Sequence, residues 1–273
     1  MKLTNDFLRE TPPSPTYIIC ENNVVFNKNF NQSIEPFIDI ISKHDGLIFA
    51  DTKLSSSITM FCRTQINVTE SWDRGGRFLC GNFNKPINFL PNNLKMIAFG
   101  YSFNQPIVLP NELQEFRMGV KFNQPIVLPN TLKKLVIGDS FEQEIDLPFG
   151  LEELTLMCKK HKVVDYLPHS LKTLYLGGDF DMNLDNLPSA LYQLDFDKKS
   201  CFRRDLNNLP NSIKILGLPI GYTKSLLNLP DSIKMVSVSH SYDKTKINSN
   251  IKDITHCDIA PGIDYFGGGC DDY

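Results

Sequence analysis

The sequence lacks the signatures of a reaction centre. There is no GxSxG, no HExxH, no P-loop and no GxGxxG leading into a helix, which removes the common hydrolase, metalloprotease and nucleotide-binding motifs. The five histidines are scattered without a ligand set, so neither a metal nor a cofactor is expected and the chain reads as non-enzymatic. No stretch approaches the roughly 18–20 apolar residues of a membrane span. The start, MKLTNDFLRETPPSP, has no apolar run long enough for a secretory signal. Strong charge is missing too. A net charge of −3 supplies no pull toward nucleic acid or an anionic membrane. The seven cysteines are odd in number, widely spaced and free of any CxxC. A secreted disulfide framework is denser and even, so reduced thiols in the cytoplasm are expected, with Cys62 and Cys80 as a buried reduced pair.

What the sequence does have is a repeated sentence. FNQPIVLPN occurs at Phe103 and again at Phe122. Eight Leu-Pro dipeptides fall in one phase, from Leu90-Pro91 to Leu229-Pro230, and their prolines step by 19, 19, 19, 20, 20, 22 and 20 residues. A period near 20 means a solenoid. Behind each Leu-Pro runs L/I-x-x-L-x-L, as in Leu94-Ile97-Phe99, Leu132-Leu135-Ile137 and Leu191-Leu194-Phe196. The last two apolar positions alternate with a variable one, which is the spacing of a short strand. A Gly-, Asp-, Ser- or Lys-rich turn follows, and then a phenylalanine: Phe83, Phe103, Phe122, Phe141, Phe180 and Phe202. Thr223, and His161 or a neighbour, stand where two more are expected. The proline-rich returns disfavour helix and predict extended or polyproline-like chain. A single 20-residue coil cannot bury its own apolar face. Stacked coils do so together, with the phenylalanines as a core column.

The motif FNQPI with LPNxLKxL resembles the FNIP repeat, a relative of the leucine-rich repeat found mainly in social amoebae and in giant viruses of amoebae. The resemblance runs over about residues 83–244. It implies a leucine-rich-repeat-like solenoid with short parallel strands on one face and little helix. It also implies an amoebal setting, with the host cytoplasm as the compartment if the chain is viral. The family often joins its repeats to an N-terminal F-box that feeds a ubiquitin ligase. The first 80 residues show instead a hairpin pattern, YIIC-ENN-VVFN, then SIEPFIDIISKHDG as one short helix, then LIFAD as a strand. Ser33 is expected to cap that helix and Gly46 to end it. The organisation read from this is a cap over 1–82 holding a degenerate repeat that starts near Leu54, repeats over 83–244, and a last degenerate repeat with an acidic tail over 245–273. Phe30-Asn31-Gln32 is a candidate remnant of one more repeat.

Function is sought on the strand face. Side chains between the core leucines point outward and vary while the framework repeats. The candidate partner-binding residues are Glu115, Arg117, Lys134, Glu153, Tyr175, Asp195, Ile215 and Met235, with Tyr175 as the aromatic anchor. Two weaker candidates stand beside them. One is the Trp72 loop with Arg74 and Arg77; the other is a basic edge of Lys159, Lys160, Lys162, Lys198, Lys199, Arg203 and Arg204. The expectation is a scaffold that binds an unidentified protein, with neither nucleic acid nor membrane as partner. A ligase substrate-recognition subunit without a recognisable F-box, a structural or assembly protein, and a carbohydrate- or small-ligand-binding solenoid are the alternatives.

Overall fold

The computed structural model describes residues 16–20, 22–27, 29–49, 81–158, 162–178 and 180–256. Among the described residues twelve strands form one sheet in strict chain order. β1 (Tyr17–Cys20) and β2 (Asn23–Phe26) make an antiparallel hairpin. A 3₁₀ turn (Glu35–Phe37) and a one-turn helix, α1 (Ile38–Ile41), lead to β3 (Gly46–Phe49). One strand per repeat follows: β4 (Met96–Ala98), β5 (Glu115–Arg117), β6 (Lys134–Ile137), β7 (Glu153–Leu156) and β8 (Thr173–Leu176). The sheet ends with β9 (Gln193–Phe196), β10 (Ile215–Gly217), β11 (Met235–Val238) and β12 (Asp253–His256). From β2 onward every pairing is parallel. The fold is a parallel-strand solenoid of about ten turns with little helix.

The repeated apolar residues form one core along its whole length. Phe83, Phe103, Phe122, Phe141, Phe180 and Phe202 are all buried. Successive rings lie nearly parallel: Phe83–Phe103 at 5.7 Å, Phe103–Phe122 at 6.0 Å and Phe122–Phe141 at 6.1 Å between centroids. Strands in a sheet sit about 4.8 Å apart. Two positions in this column differ from expectation. Tyr222, not Thr223, continues it, stacked on Phe202 at 6.1 Å with its hydroxyl donating to the Arg204 carbonyl at 3.1 Å. In the coil after β7, Val163 and Val164 supply buried bulk from a 3₁₀ helix (Lys162–Tyr166), where the return was expected to be extended.

The asparagine of the motif has a structural role of its own. Asn84 Oδ1 accepts from the Asn104 backbone N–H at 2.9 Å, Asn104 Oδ1 from Asn123 N–H at 2.9 Å, and Asn123 Oδ1 from Glu142 N–H at 3.0 Å. Each also accepts from the next coil's glutamine: Gln105, Gln124 and Gln143, all at 3.1 Å. The ladder supplies backbone donors that the helix-free return cannot satisfy within its own coil. Replacing Asn104 by Ala leaves the part-buried Asn123 N–H without its acceptor. The expected loss is about 1–3 kcal/mol, with Asn104→Asp costing less because an oxygen remains. Denaturant titration of both variants checks this.

The same ladder settles the remnant at Phe30. Asn31 Oδ1 accepts from Asn84 N–H at 3.1 Å, and Phe30 stacks on Phe83 at 5.7 Å. Phe30-Asn31 thus occupies the Phe-Asn place of a coil laid down before the regular repeats begin. β3 pairs directly with β4. The repeat expected near Leu54, the Trp72 loop, and Cys62 and Cys80 lie outside the described residues. Two expectations in the cap are corrected. Ser33 makes a local turn, its Oγ accepting from Glu35 N–H at 3.2 Å, while the 3₁₀ turn has no side-chain cap. Gly46 opens β3, and Ser42 ends α1. The expectation of thiols reduced throughout is corrected at one position: Cys20 is disulfide-bonded. Cys158 and Cys201 form no disulfide.

Candidate functional site

The parallel register arranges the outward side chains in two rows. The first runs Met96, Glu115, Lys134, Glu153, Thr173, Gln193, Ile215, Met235 and Asp253. The second runs Val25, Ile48, Ala98, Arg117, Val136, Thr155, Tyr175, Asp195, Gly217 and Ser237. All eight candidate residues lie on these rows, spread along nearly the full sheet.

The two ends of the sheet differ. Val25, Ile48 and Ala98 are buried although they face outward, and form a second small apolar cluster with Cys20 and Met96. Val136 is buried as well. Arg117 corrects the expectation most clearly. It is only 8% exposed. Its Nε donates to Glu115 Oε1 at 2.5 Å, and its Nη2 pairs with the same oxygen. Burial pulls its pKa below the usual arginine value, while the Glu115 and Glu153 carboxylates oppose that shift and hold the cation. Lys134 Nζ meets Glu153 at 2.9 Å. Charges over β5–β7 therefore answer one another, and Arg117 has little surface left for a partner.

From β7 onward the second row opens. Thr155, Tyr175, Asp195, Gly217 and Ser237 are all half-exposed. Tyr175 leans across the row and donates its hydroxyl to Asp197 Oδ2 at 3.1 Å. Asp195 Oδ2 accepts from Gln193 Nε2 at 2.5 Å. Its other carboxylate oxygen lies over Gly217, where a Cβ would stand 2.3 Å away. Beside them Ile215 is half-exposed and Met235 is 37% exposed. The arrangement is a ring with its hydroxyl fixed, a carboxylate held by an amide, and two apolar side chains on neighbouring strands. That set suits contact with a protein surface. Cys158 offers no nucleophile, since burial pushes its thiol up to about 11, far from a reactive thiolate.

Of the basic edge, Lys159 and Lys160 lie outside the described residues. Arg204 reaches back one coil, donating to the Asp181 carbonyl at 2.9 Å and Asn183 Oδ1 at 3.1 Å. It serves coil stacking. Among the described residues no helix is long and apolar enough to cross a membrane.

Comparison with known proteins narrows the type of repeat. Residues 83–121 and 122–159 match the model of the FNIP repeat. These two segments are similar to FNIP repeats. They are the stretch in which the asparagine ladder and the parallel phenylalanine stack are most regular, so both features belong to the FNIP coil in this chain. A solved structure, CroV588 of a giant virus, described as a novel circular leucine-rich-repeat protein, superposes with a TM-score of 0.61 at 24% identity. The match covers 89% of this chain and 41% of that one, so this chain spans under half the length of its structural neighbour. The likeness is one of fold. A search of curated proteins returned no match.

Proposed function

We propose that this FNIP-repeat chain is a non-enzymatic scaffold that binds another protein on the outward face of β7–β11. The observation that carries the reading is the contrast within the second row. Its first half is buried, while its second half presents unlike, half-exposed side chains on an unchanging core. Variation confined to exposed positions of a rigid frame suits recognition. Tyr175 is the anchor, because its hydroxyl is already fixed by Asp197 and little freedom remains to be lost on binding.

The test is affinity capture from amoebal host cells with the wild-type chain and with Tyr175→Ala/Met235→Lys, followed by mass spectrometry. Partners retained by wild type and lost at least tenfold by the variant are expected, with circular dichroism unchanged. Partners kept at full level by a folded variant would sink the strand-face reading. Ubiquitin-ligase subunits among partners that the variant keeps would favour a ligase-adaptor role.

A further inference from the structure

The return segments opposite the sheet carry an exposed apolar patch that the core does not explain. In extended chain, neighbouring residues point to opposite sides. Ile107 points into the core, while Pro106 and Val108 point out; Val108 is 87% exposed. One coil on, Pro125 is exposed and Val127 is again 87% exposed. One coil back stand Pro86 and Phe89, the latter 60% exposed. Six apolar side chains thus lie in three adjacent coils. The two middle segments, 103–111 and 122–130, contain no ionisable residue at all.

Charge appears only at the two ends of this patch, with opposite sign. Lys85 is exposed in the first coil. In the fourth, Glu144 and Asp146 take the places held by Pro125 and Val127 one coil earlier, and both are exposed. Such a patch complements itself. A two-fold axis along the chain direction, midway between the second and third of these four coils, sets the first coil of one copy against the fourth of the other. By the register of the coils it places Glu144 opposite Pro86 and diagonal to Lys85 at both ends, and the two uncharged FNQPIVLPN segments face to face, with Phe89 at the rim. In an isologous contact residue i of one copy meets j of the other and j meets i, so the second coil of each copy meets the third of the other, and these two carry the identical FNQPIVLPN segment.

We propose that this face is the dimer interface between two copies of the chain. Four coils by about six residues cover on the order of 400 Å² a copy, about 800 Å² in total and below the standard size of specific interfaces, so the dimer is weak and transient, with Kd on the order of 10–100 μM. It leaves the sheet face free, and does not depend on the partner-binding proposal.

Sedimentation equilibrium of the full chain from about 5 to about 500 μM tests it, bracketing that Kd. A monomer–dimer equilibrium is expected for wild type. Val108→Lys/Val127→Lys should be monomeric throughout with an unchanged melting curve, as these side chains are exposed. Lys85→Glu and Glu144→Lys should each weaken dimerisation about tenfold by setting like charges together, and the double variant Lys85→Glu/Glu144→Lys should restore it. A wild type that stays monomeric overturns the proposal. So does a dimer that survives the double lysine variant, or a charge exchange that fails to restore association.

Discussion

Phe103→Ala is expected to lower the stability of the solenoid by about 3–5 kcal/mol, the range for emptying a fully buried aromatic site. Phe103 has no exposed surface. Its ring lies 3.7 Å from Phe99, 5.7 Å from Phe83 and 6.0 Å from Phe122, so removal strips contacts from three neighbours at once. The coil cannot collapse to fill the space, because the asparagine ladder and the strand pairing hold it at a set distance from the coils on either side. Typical domains have only about 5–15 kcal/mol in total, so most of the margin is at stake. Repeat proteins also lose cooperativity where a nearest-neighbour interface fails. The unfolding curve should therefore broaden or split as well as shift. Val108→Ala in the same coil is the control and should change stability by less than about 0.5 kcal/mol. Urea denaturation of the three proteins, followed by circular dichroism, checks this. A Phe103→Ala cost under about 1 kcal/mol would mean the column is not what holds the coils together.

Gly119→Ala is expected to do comparable damage with a single added methyl. After each strand in the regular coils, backbone meets backbone. A Cβ on Gly119 would lie 1.9 Å from the Gly100 carbonyl oxygen, and one on Gly138 would lie 2.2 Å from that of Gly119. Nothing flexible is available to move aside. Two adjacent coils would have to part, at a cost of about 3 kcal/mol or more, at and beyond the upper end of overpacking effects. Gly178 provides the comparison, since a Cβ there meets nothing within 4 Å. Gly178→Ala should be neutral or stabilise by up to about 1 kcal/mol, through the reduced freedom of the unfolded chain. Melting temperatures of the two variants should move in opposite directions or differ widely. Equal small shifts would contradict the close approach at Gly119.

Much of this molecule was legible in the sequence, because in a solenoid the local pattern and the global packing are the same statement. A 19- to 22-residue period, an alternating triplet of apolar residues and a recurring phenylalanine are enough to place strands, core column and turn. The outward positions follow from strand geometry alone, and all eight candidates do lie there. Their exposure does not follow. Arg117 reads as a free cation, yet Glu115 two residues before it and the neighbouring strands enclose it. Val108 and Val127 read as part of an apolar return, yet they face solvent. The choice of Tyr222 over Thr223 depends on which of two adjacent residues reaches the column. The asparagines carried a signal in their exact repetition, but only three-dimensional spacing shows that each bonds the coil after it.

The sequence by itself determined the architecture, since a repeating coil has one way to bury a repeating face. Tertiary structure alone decided three further matters: the pairing of β3 with β4 across the insertion between them, the closure of one half of the strand face, and the exposure of the valine ladder. Each depends on contacts between residues one or more coils apart, and the spacing of residues along the chain carries no record of which side of a neighbouring coil they meet.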